Sequence, residues 1–486
     1  MRRIFLILAV CLGTFMATLD ISIVNVALPA IGQDLDANMS MLQWIIDSYA
    51  LCLSALILSI GPISDRYGRK KIWLLGIVIF TLGSGICAFS VTSNMLIVGR
   101  IVQGVAAAAL IPGALSIITQ AFTNDIERIK IIGIWSAVSA LSLIIGPILG
   151  GFLVDTLNWT TIFLINIPIG LLTLLLGWLG INESADPDKA AFDPLGQLLS
   201  IIALGGITFA LIEAGDKGWG NYFTLSGLTL GLAASFCFVW VELKVSKPLL
   251  PLFLFKKNAF FFQYNMASFA LGFATYSNVF FIALFLQKGQ GWGALEAGLR
   301  MSPEFIAMAI FSFSFGKLSR YLSVRNLMIV GFILIATASI MFTRVNSDTA
   351  YLPIAVILFI LGAGMGMATP AISALVMASV EKSYSGIASA VMNALRQTGM
   401  TLGIALLGTL MTHRAVDVLL RDNRLVSIMS SQEIEQLVNG SAHMPSTFIE
   451  QVTRSAFVSG FNLAMLGGAI AIMATLCLMM KKRLAN

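Results

Sequence analysis

The sequence predicts an all-α integral membrane protein of fourteen transmembrane helices, two six-helix halves with two spans inserted between them. Three observations predict it. The 486 residues are 58% hydrophobic and only 11% charged, where a soluble domain carries about 25% charge. Apolar runs recur along the whole chain, each near the roughly 20 residues that cross a bilayer. The basic turn Gly61-Pro62-Ile63-Ser64-Asp65-Arg66-Tyr67-Gly68-Arg69-Lys70-Lys71 returns in degraded form as Gly316-Lys317-Leu318-Ser319-Arg320-Tyr321, so the chain contains an internal repeat.

The first run, roughly 4–30, exceeds a signal-peptide core of about 7–15 residues and has no small-residue cleavage site after it. It is read as a retained span. The others lie at roughly 42–62, 72–90, 95–120, 132–154, 160–181, 195–215, 222–243, 259–286, 297–316, 326–342, 352–378, 385–411 and 456–480. If spans seven and eight are the insertion, the two basic turns occupy equivalent places in the halves. Repeated halves around a midplane cavity are the architecture of secondary transporters. The expected division is 1–181 for the N-terminal half, 182–258 for the two linker spans, and 259–486 for the C-terminal half. Within the linker, Lys247 to Lys257 carries Pro248, Pro251 and Leu252-Phe253-Leu254-Phe255, a segment expected to lie on the bilayer surface. Within the C-terminal half, the polar segment 412–455 mixes charges with apolar residues at helical intervals. An amphipathic hairpin and a solvated loop both fit it.

Two-thirds of the 30 Lys and Arg lie at the termini and in the even-numbered connections, and the first three odd-numbered connections hold none. The positive-inside rule then places both termini in the cytoplasm, in a multi-pass protein of the inner (cytoplasmic) membrane. The net charge of +6 follows from topology and implies no nucleic acid. Cys11, Cys52, Cys87, Cys237 and Cys477 all fall in apolar runs, which implies no disulfide framework. His413 and His443 share one polar stretch, and no metal-ligand spacing occurs. No nucleophile–base constellation and no phosphate-loop motif is found, which argues against an enzyme and an ATP-driven pump.

The charges inside the spans carry the functional reading. Asp20 lies within the first apolar run, with Asn25 and Pro29 beyond it. A carboxylate there costs several kcal/mol unless it meets water, a partner or a proton. It is either a structural acid bonded to a neighbouring helix or a proton site. Asp47 in span 2 and Glu304 in span 10 are further acids, with a wetted helix end as the plainer reading of each. At about 1.5 Å per residue, Asp20, Asp47, Arg100 and Glu304 all fall in the outer half, which suggests one shared site. Arg100 can pair with the acid of span 1 or of span 2. Arg396 falls near mid-depth and is expected to bond carbonyls or an acid. Glu213 reads as an interfacial charge.

In the basic turn, Gly61 is expected to let span 2 approach its neighbour, Asp65 to cap the next helix and pair with an arginine, and Gly68 to make the turn. Arg66, Arg69 and their neighbours are expected to hold the turn at the anionic inner surface. The whole pattern resembles the signature loop of the major facilitator superfamily. Arg100-Ile101-Val102-Gln103-Gly104 resembles the span-4 arginine motif of its proton-driven exporters. Gly146-Pro147-Ile148-Leu149-Gly150-Gly151 resembles the motif of its antiporters, with Ser142 at the usual upstream glycine. Leu19 to Pro29 is similar to the span-1 motif of the fourteen-span drug:proton antiporters, with Ser22 where Thr is usual. Asn158-Trp159, Phe163 to Gly170, the glycines Gly362, Gly364 and Gly366, Pro370 and Arg396-Gln397-Thr398-Gly399 fit that family too, although Thr160 and Thr161 replace its Arg-Trp. Asp47 and Glu304 resemble the branch that exports quaternary ammonium and other lipophilic cations.

The resemblance implies a major facilitator bundle that exports drugs by alternating access. Asp20, Asp47 and Arg100 then couple protons, and Asp47, Glu304 and Asn25 bind substrate. Gly61, Asp65, Arg66, Gly68, Arg69, Gly146, Pro147, Gly150 and Gly151 carry conformational roles. No cofactor beyond the proton gradient is expected, and the partners are a small-molecule substrate, protons and the lipid bilayer. The chain is expected to act as a monomer, with a periplasmic adaptor protein left open. Two rivals stand beside this: an exporter of an endogenous metabolite or siderophore, and a sensor without turnover. The intact turn at Gly61 and the intact Gly146-Pro147 motif argue against the sensor.

Overall fold

The computed structural model describes residues 1–185, 193–245, 248–250, 252–381, 385–430, 433–434, 437–438 and 447–480. The chain is all-helical, with no strand among the described residues. The N-terminal helices are α1 Arg2–Asp34, α2 Met39–Tyr67, α3 Arg69–Ala88, α4 Ser93–Ala121, α5 Asp125–Thr156 and α6 Thr161–Gly180. The inserted pair is α7 Pro194–Lys217 and α8 Tyr222–Glu242. The C-terminal helices are α9 Ala259–Gly289, α10 Ala294–Leu318, α11 Val324–Phe342, α12 Tyr351–Ala378, α13 Ser385–Leu420 and α14 Thr447–Met480. Thirteen of these are long and apolar enough to cross a membrane. The remaining one, α10, has the length, but Glu296, Arg300 and Glu304 interrupt its apolar run. Several starts are set locally by side-chain caps. Asn38 accepts from Met41 N at 2.9 Å, Asp193 from Gly196 N at 2.9 Å and Asn258 from Phe260 N at 2.9 Å.

The repeat in the sequence is a repeat in packing. In the first half α1 packs on α5 and α6, α2 on α4, and α3 on α4 and α6; in the second α9 packs on α13 and α14, α10 on α12, and α11 on α12 and α14. The halves meet at two seams, α5 against α10 and α2 against α13, which the same repeat exchanges. The inserted α7 packs on both α2 and α13. The termini, the α2–α3 turn and the start of α5 share one face, where Arg3 reaches Glu127 at 3.2 Å. The opposite face is called the far face.

Small residues bring the helices together. A Cβ on Gly146 would overlap the Ser22 hydroxyl, and one on Gly150 would lie 2.8 Å from the Ile23 carbonyl. Ser142 is small enough to keep the same α1–α5 approach, and its hydroxyl meets that of Thr18. Towards the far face, Gly151 lies on the backbone of Leu295 and Gly298 on that of Pro147, which closes the α5–α10 seam. Gln43 closes the other seam, donating to the Ile404 carbonyl at 3.1 Å. At the termini face, by contrast, Gly61, Gly133 and Gly316 have nothing within 4 Å of a built Cβ.

Two expectations are corrected here. Gly61 faces open space, so it brings no helices together in this conformation. Asp65 does not cap α3; it pairs with Arg69 at 2.6 Å. The cap comes from Glu183, beyond α6, which accepts from Lys70 N at 3.0 Å and Lys71 N at 3.1 Å. Gly68 does make the turn, at φ +106°, a conformation open to glycine. In the polar segment 412–455, α13 runs on to Leu420, a short helix covers Asn423–Val426 and α14 starts at Thr447; residues 431, 432, 435, 436 and 439–446 lie outside the described residues. Pairs one turn apart, such as Arg421–Asp417 at 3.0 Å and Arg454–Glu450 at 3.1 Å, support the helices beyond the membrane. Leu419, Leu425, Ile434, Leu437 and Ile449 form a small apolar core there. The Arg424 side chain and backbone N–H beside Asp422 hold its carboxyl below the usual carboxylate range, so this turn keeps its cap until pH falls well into acid. In the linker, Leu252–Lys257 is a short helix, while residues 247 and 251 of the expected interfacial segment lie outside the described residues.

Overpacking of this kind costs about 1–3 kcal/mol. Gly150→Leu is therefore expected to lower the thermal midpoint of the purified protein, and Gly61→Leu to leave it unchanged. Equal midpoints for Gly150→Leu and the parent would refute the close-packing account.

Candidate functional site

Asp20 and Arg100 form an ion pair inside the N-terminal half, with side-chain exposures of 0% and 1%. The pair sits in a hydrogen-bonded network. Gln103, one turn after Arg100 on α4, donates Nε2 to Asp20 Oδ1 at 3.1 Å and to Ser84 Oγ at 2.8 Å. Its Oε1 accepts from Arg100 Nη1 at 2.9 Å and from Cys87 Sγ at 3.4 Å. Asn166 of α6 donates to the same Asp20 oxygen at 3.3 Å. Arg100 Nε donates to the Ile45 carbonyl at 3.1 Å, and the guanidinium lies 4.4 Å from the Tyr49 ring centre. Tyr49 in turn donates its hydroxyl to the Ala17 carbonyl at 3.1 Å. The i, i+3 spacing of Arg100 and Gln103 aims both at α1, and Gly104 lets α4 rest against the Tyr49 backbone. Of the two acids open to Arg100, the structure selects Asp20.

A central cavity of about 30 Å³ lies next to this network, lined by Ile21, Ser22 and Asn25 of α1 and by Tyr276 and Val279 of α9, among others. Both halves contribute walls, and most of the lining is apolar. Asn25 is at the cavity and donates Nδ2 to the Ile21 carbonyl at 2.9 Å. Tyr276 ends a π-helical turn, Gly272–Tyr276, within α9, a local irregularity often found at functional sites. A larger vestibule of about 820 Å³ opens at the far face, lined in part by Pro29, Gln33, Asp155, Gln287, Lys288 and Phe457. A second π turn, Phe285–Gly289, supplies Gln287 and Lys288.

Asp47 and Glu304 are each 0% exposed, and none of their carboxylate oxygens has a hydrogen-bond partner. Neither is a wetted helix end. Their chain neighbours Ile46 and Phe305 line the cavity, while the two acids themselves are not among its lining. One shared site for all four charges is therefore corrected: the structure joins Asp20 with Arg100 only. Depth along a helix fixes height but not direction, and one residue turns a side chain by about 100°. Among the described residues, Arg396 bonds neither a backbone carbonyl nor an acid. It donates to the Asn393 side chain and lies 5.5 Å from the Tyr276 ring centre. Glu213 pairs with Lys217 at 2.7 Å, in keeping with an interfacial charge. Where Arg-Trp was expected, Thr160 and Thr161 close a local turn on Asn158, at 2.6 Å from Thr160 Oγ1 to Asn158 Oδ1. Gln103, Asn166, Tyr49 and Glu183 were not singled out from sequence. For Gln103 the spacing from Arg100 was the available signal. For Glu183, more than 110 residues from its partners, there was none.

Comparison with known proteins agrees with this architecture. Residues 10–404 match the Major Facilitator Superfamily. The methylenomycin A resistance protein of Bacillus subtilis (strain 168) is 32% identical over 409 residues, covering 84% of this chain and 87% of that protein. Multidrug resistance protein Stp of Mycobacterium tuberculosis (strain CDC 1551 / Oshkosh) is 34% identical, covering 84% and 76%. The tetracenomycin C resistance and export protein of Streptomyces glaucescens is 28% identical, covering 96% and 89%. Among solved structures, a bacterial homologue of the human lysosomal transporter Spinster superposes with a TM-score of 0.67 at 19% identity, covering 98% of this chain and 96% of that one. The repeated halves, the paired seams and these matches lead to one conclusion: the chain belongs to the Major Facilitator Superfamily, and its multi-pass helical bundle is that of a membrane transporter.

Proposed function

We propose that the protein exports lipophilic, cationic drugs across the cytoplasmic membrane in exchange for protons, as a member of the fourteen-span drug:proton antiporters. The carrying observation is the buried Asp20–Arg100 pair, one residue from a cavity to which both halves contribute. In this reading residues 1–181 and 259–486 rock against each other, 182–258 connects them, and both termini are cytoplasmic. Substrate enters from the cytoplasm or inner leaflet, and a proton from outside reaches Asp20. A protonated Asp20 no longer neutralises Arg100, whose other partners are the Ile45 carbonyl and Gln103. The network that ties α1 to α4 then loosens, and a conformational step follows from a change in charge. Asp47 and Glu304 lack partners, and an unpaired carboxylate within a membrane is costly, so each carries a proton or meets a cation. We assign them to substrate, with Asn25 on the cavity wall. Gly146, Pro147, Gly150 and Gly151 keep α5 close enough to α1 and α10 for the halves to seal. The chain works as a monomer on the proton gradient alone, and any periplasmic adaptor would dock at the far face.

A second reading, export of an endogenous metabolite, has one observation in its favour. One relative is named for both resistance to and export of tetracenomycin C.

The Asp20→Asn protein should insert and fold but fail to release protons when substrate is added to it in detergent. Undiminished release would remove Asp20 from the coupling site. Because the cation and the proton compete for carboxylates, apparent substrate affinity should rise with pH until those groups are ionised.

Charge selectivity separates the two readings. A dication gains from a second carboxylate what a monocation largely does not. A surplus of about 1.4 kcal/mol is a tenfold change in affinity. Asp47→Asn and Glu304→Gln should therefore weaken resistance to bis-quaternary compounds by about tenfold more than to matched mono-quaternary ones. If both profiles stay unchanged, these acids are not substrate ligands and the metabolite reading gains.

A further inference from the structure

We infer that Asp155 is a positioning residue of the transport cycle: it caps the first turn of α10 from the opposite half and thereby latches the far-side gate. The inference rests on the alternating-access reading above. The N-cap of α10 is Gly293, which has no side chain to satisfy the free N–H groups of the first turn, and among the described residues no side-chain cap comes from within its own half. Asp155, at the end of α5, supplies one: its Oδ2 accepts from Leu295 N at 2.8 Å. Leu295 is the second helical residue, where a capping oxygen normally bonds, and a negative charge there also complements the helix dipole.

The cap belongs to a continuous contact. Pro147, Gly151 and Asp155 recur at four-residue intervals on one face of α5. They meet Gly298, then Ala294 and Leu295, then Leu295 N and Gly293, in order towards the far face. The lower contacts are backbone on backbone, so they set how close the helices come. Only the last carries a charge, and it sits in the wall of the far-side vestibule beside Gly293 and Ala294. Between vestibule and central cavity the path is shut where Gln287 of α9 donates to the Val26 carbonyl of α1 at 3.0 Å. Asn25, a cavity residue, and Pro29, a vestibule residue, flank that point on α1.

When the far side opens, α5 and α10 must separate. Asp155 then loses Leu295 N, and α10 is left without a cap. The cap therefore stabilises only the far-closed state, unlike one built into α10 itself, which would persist in both states. Asp155→Ala should shift the balance towards the far-open state several-fold, up to about tenfold, the change that 1.4 kcal/mol gives. Asp155→Asn, whose amide oxygen still accepts, should shift it much less.

The test is a spin-label distance across the seam, between exposed positions Leu157 and Leu299, with the five free cysteines replaced by alanine. The parent should show a short and a long distance whose proportions change with substrate and pH. Asp155→Ala should enrich the long one. Adding Gly293→Ser to Asp155→Ala then supplies a cap within α10. It should restore the thermal midpoint but leave the long distance enriched, an outcome that a purely stabilising role does not give. An unchanged distribution in Asp155→Ala, or a return to the parental distribution on adding Gly293→Ser, overturns the latch while leaving the transport reading intact. A parent with one distance under every condition overturns both.

Discussion

Arg100 and Asp20 hold opposite charges in a place where neither could stand alone. Removing one partner of such a buried pair costs on the order of 3–5 kcal/mol, and the surrounding half is arranged to keep both. Arg100 takes its carbonyl from α2, Asp20 takes amides from α4 and α6, and Gln103 anchors the pair to Ser84 of α3. Five helices thus meet at one charge-neutral knot. The glycines of α4 and α5 follow from it, because α1 and α2 must lie close enough to α4 and α5 for short side chains to reach.

The C-terminal half repeats the packing without the knot. Gly104 brings α4 to the backbone of Tyr49, and Gly362 brings α12 to the backbone of Glu304 in the same way. The repeat therefore puts an acid where the first half has the aromatic partner of Arg100. Among the described residues no cation pairs with it, and both its oxygens are unpartnered. The Asp20 charge is neutralised within its own half, whereas the carboxylates of Asp47 and Glu304, one in each half, have no hydrogen-bond partner among the described residues.

Much of this was legible in the sequence. Hydropathy gave the spans, the repeated turn paired the halves, and the cost of an intramembrane acid pointed to Asp20. Gly68 declared its turn because few other residues adopt that backbone conformation. Other features were hidden for definite reasons. Asp47, Arg100 and Glu304 share a depth, which sequence reports, but not a direction, which depends on how each helix is rotated in the bundle. The cap on α3 comes from Glu183 and the cap on α10 from Asp155, each from a distant helix end, and helix-capping patterns are local. The lengths of α13 and α14 were underestimated over 412–420 and 447–455, where hydropathy ends but pairs such as Arg414–Asp417 and Arg454–Glu450 continue the helices.

The inserted helix α7 is fastened to both halves at different heights. Gln197 donates to the Ala55 carbonyl of α2 at 2.9 Å, while near the far face His413 of α13 meets the Ala214 carbonyl at 2.9 Å. It therefore screens the α2–α13 seam from lipid. Among the described residues no inserted helix packs on α5 or α10, and Leu141, Phe152, Leu299, Ile306 and Ile310 of these two helices are exposed. A molecule dissolved in the bilayer thus meets a transporter with a front and a back. Twelve-helix symmetry would leave both seams uncovered; the inserted helix α7 covers one of them.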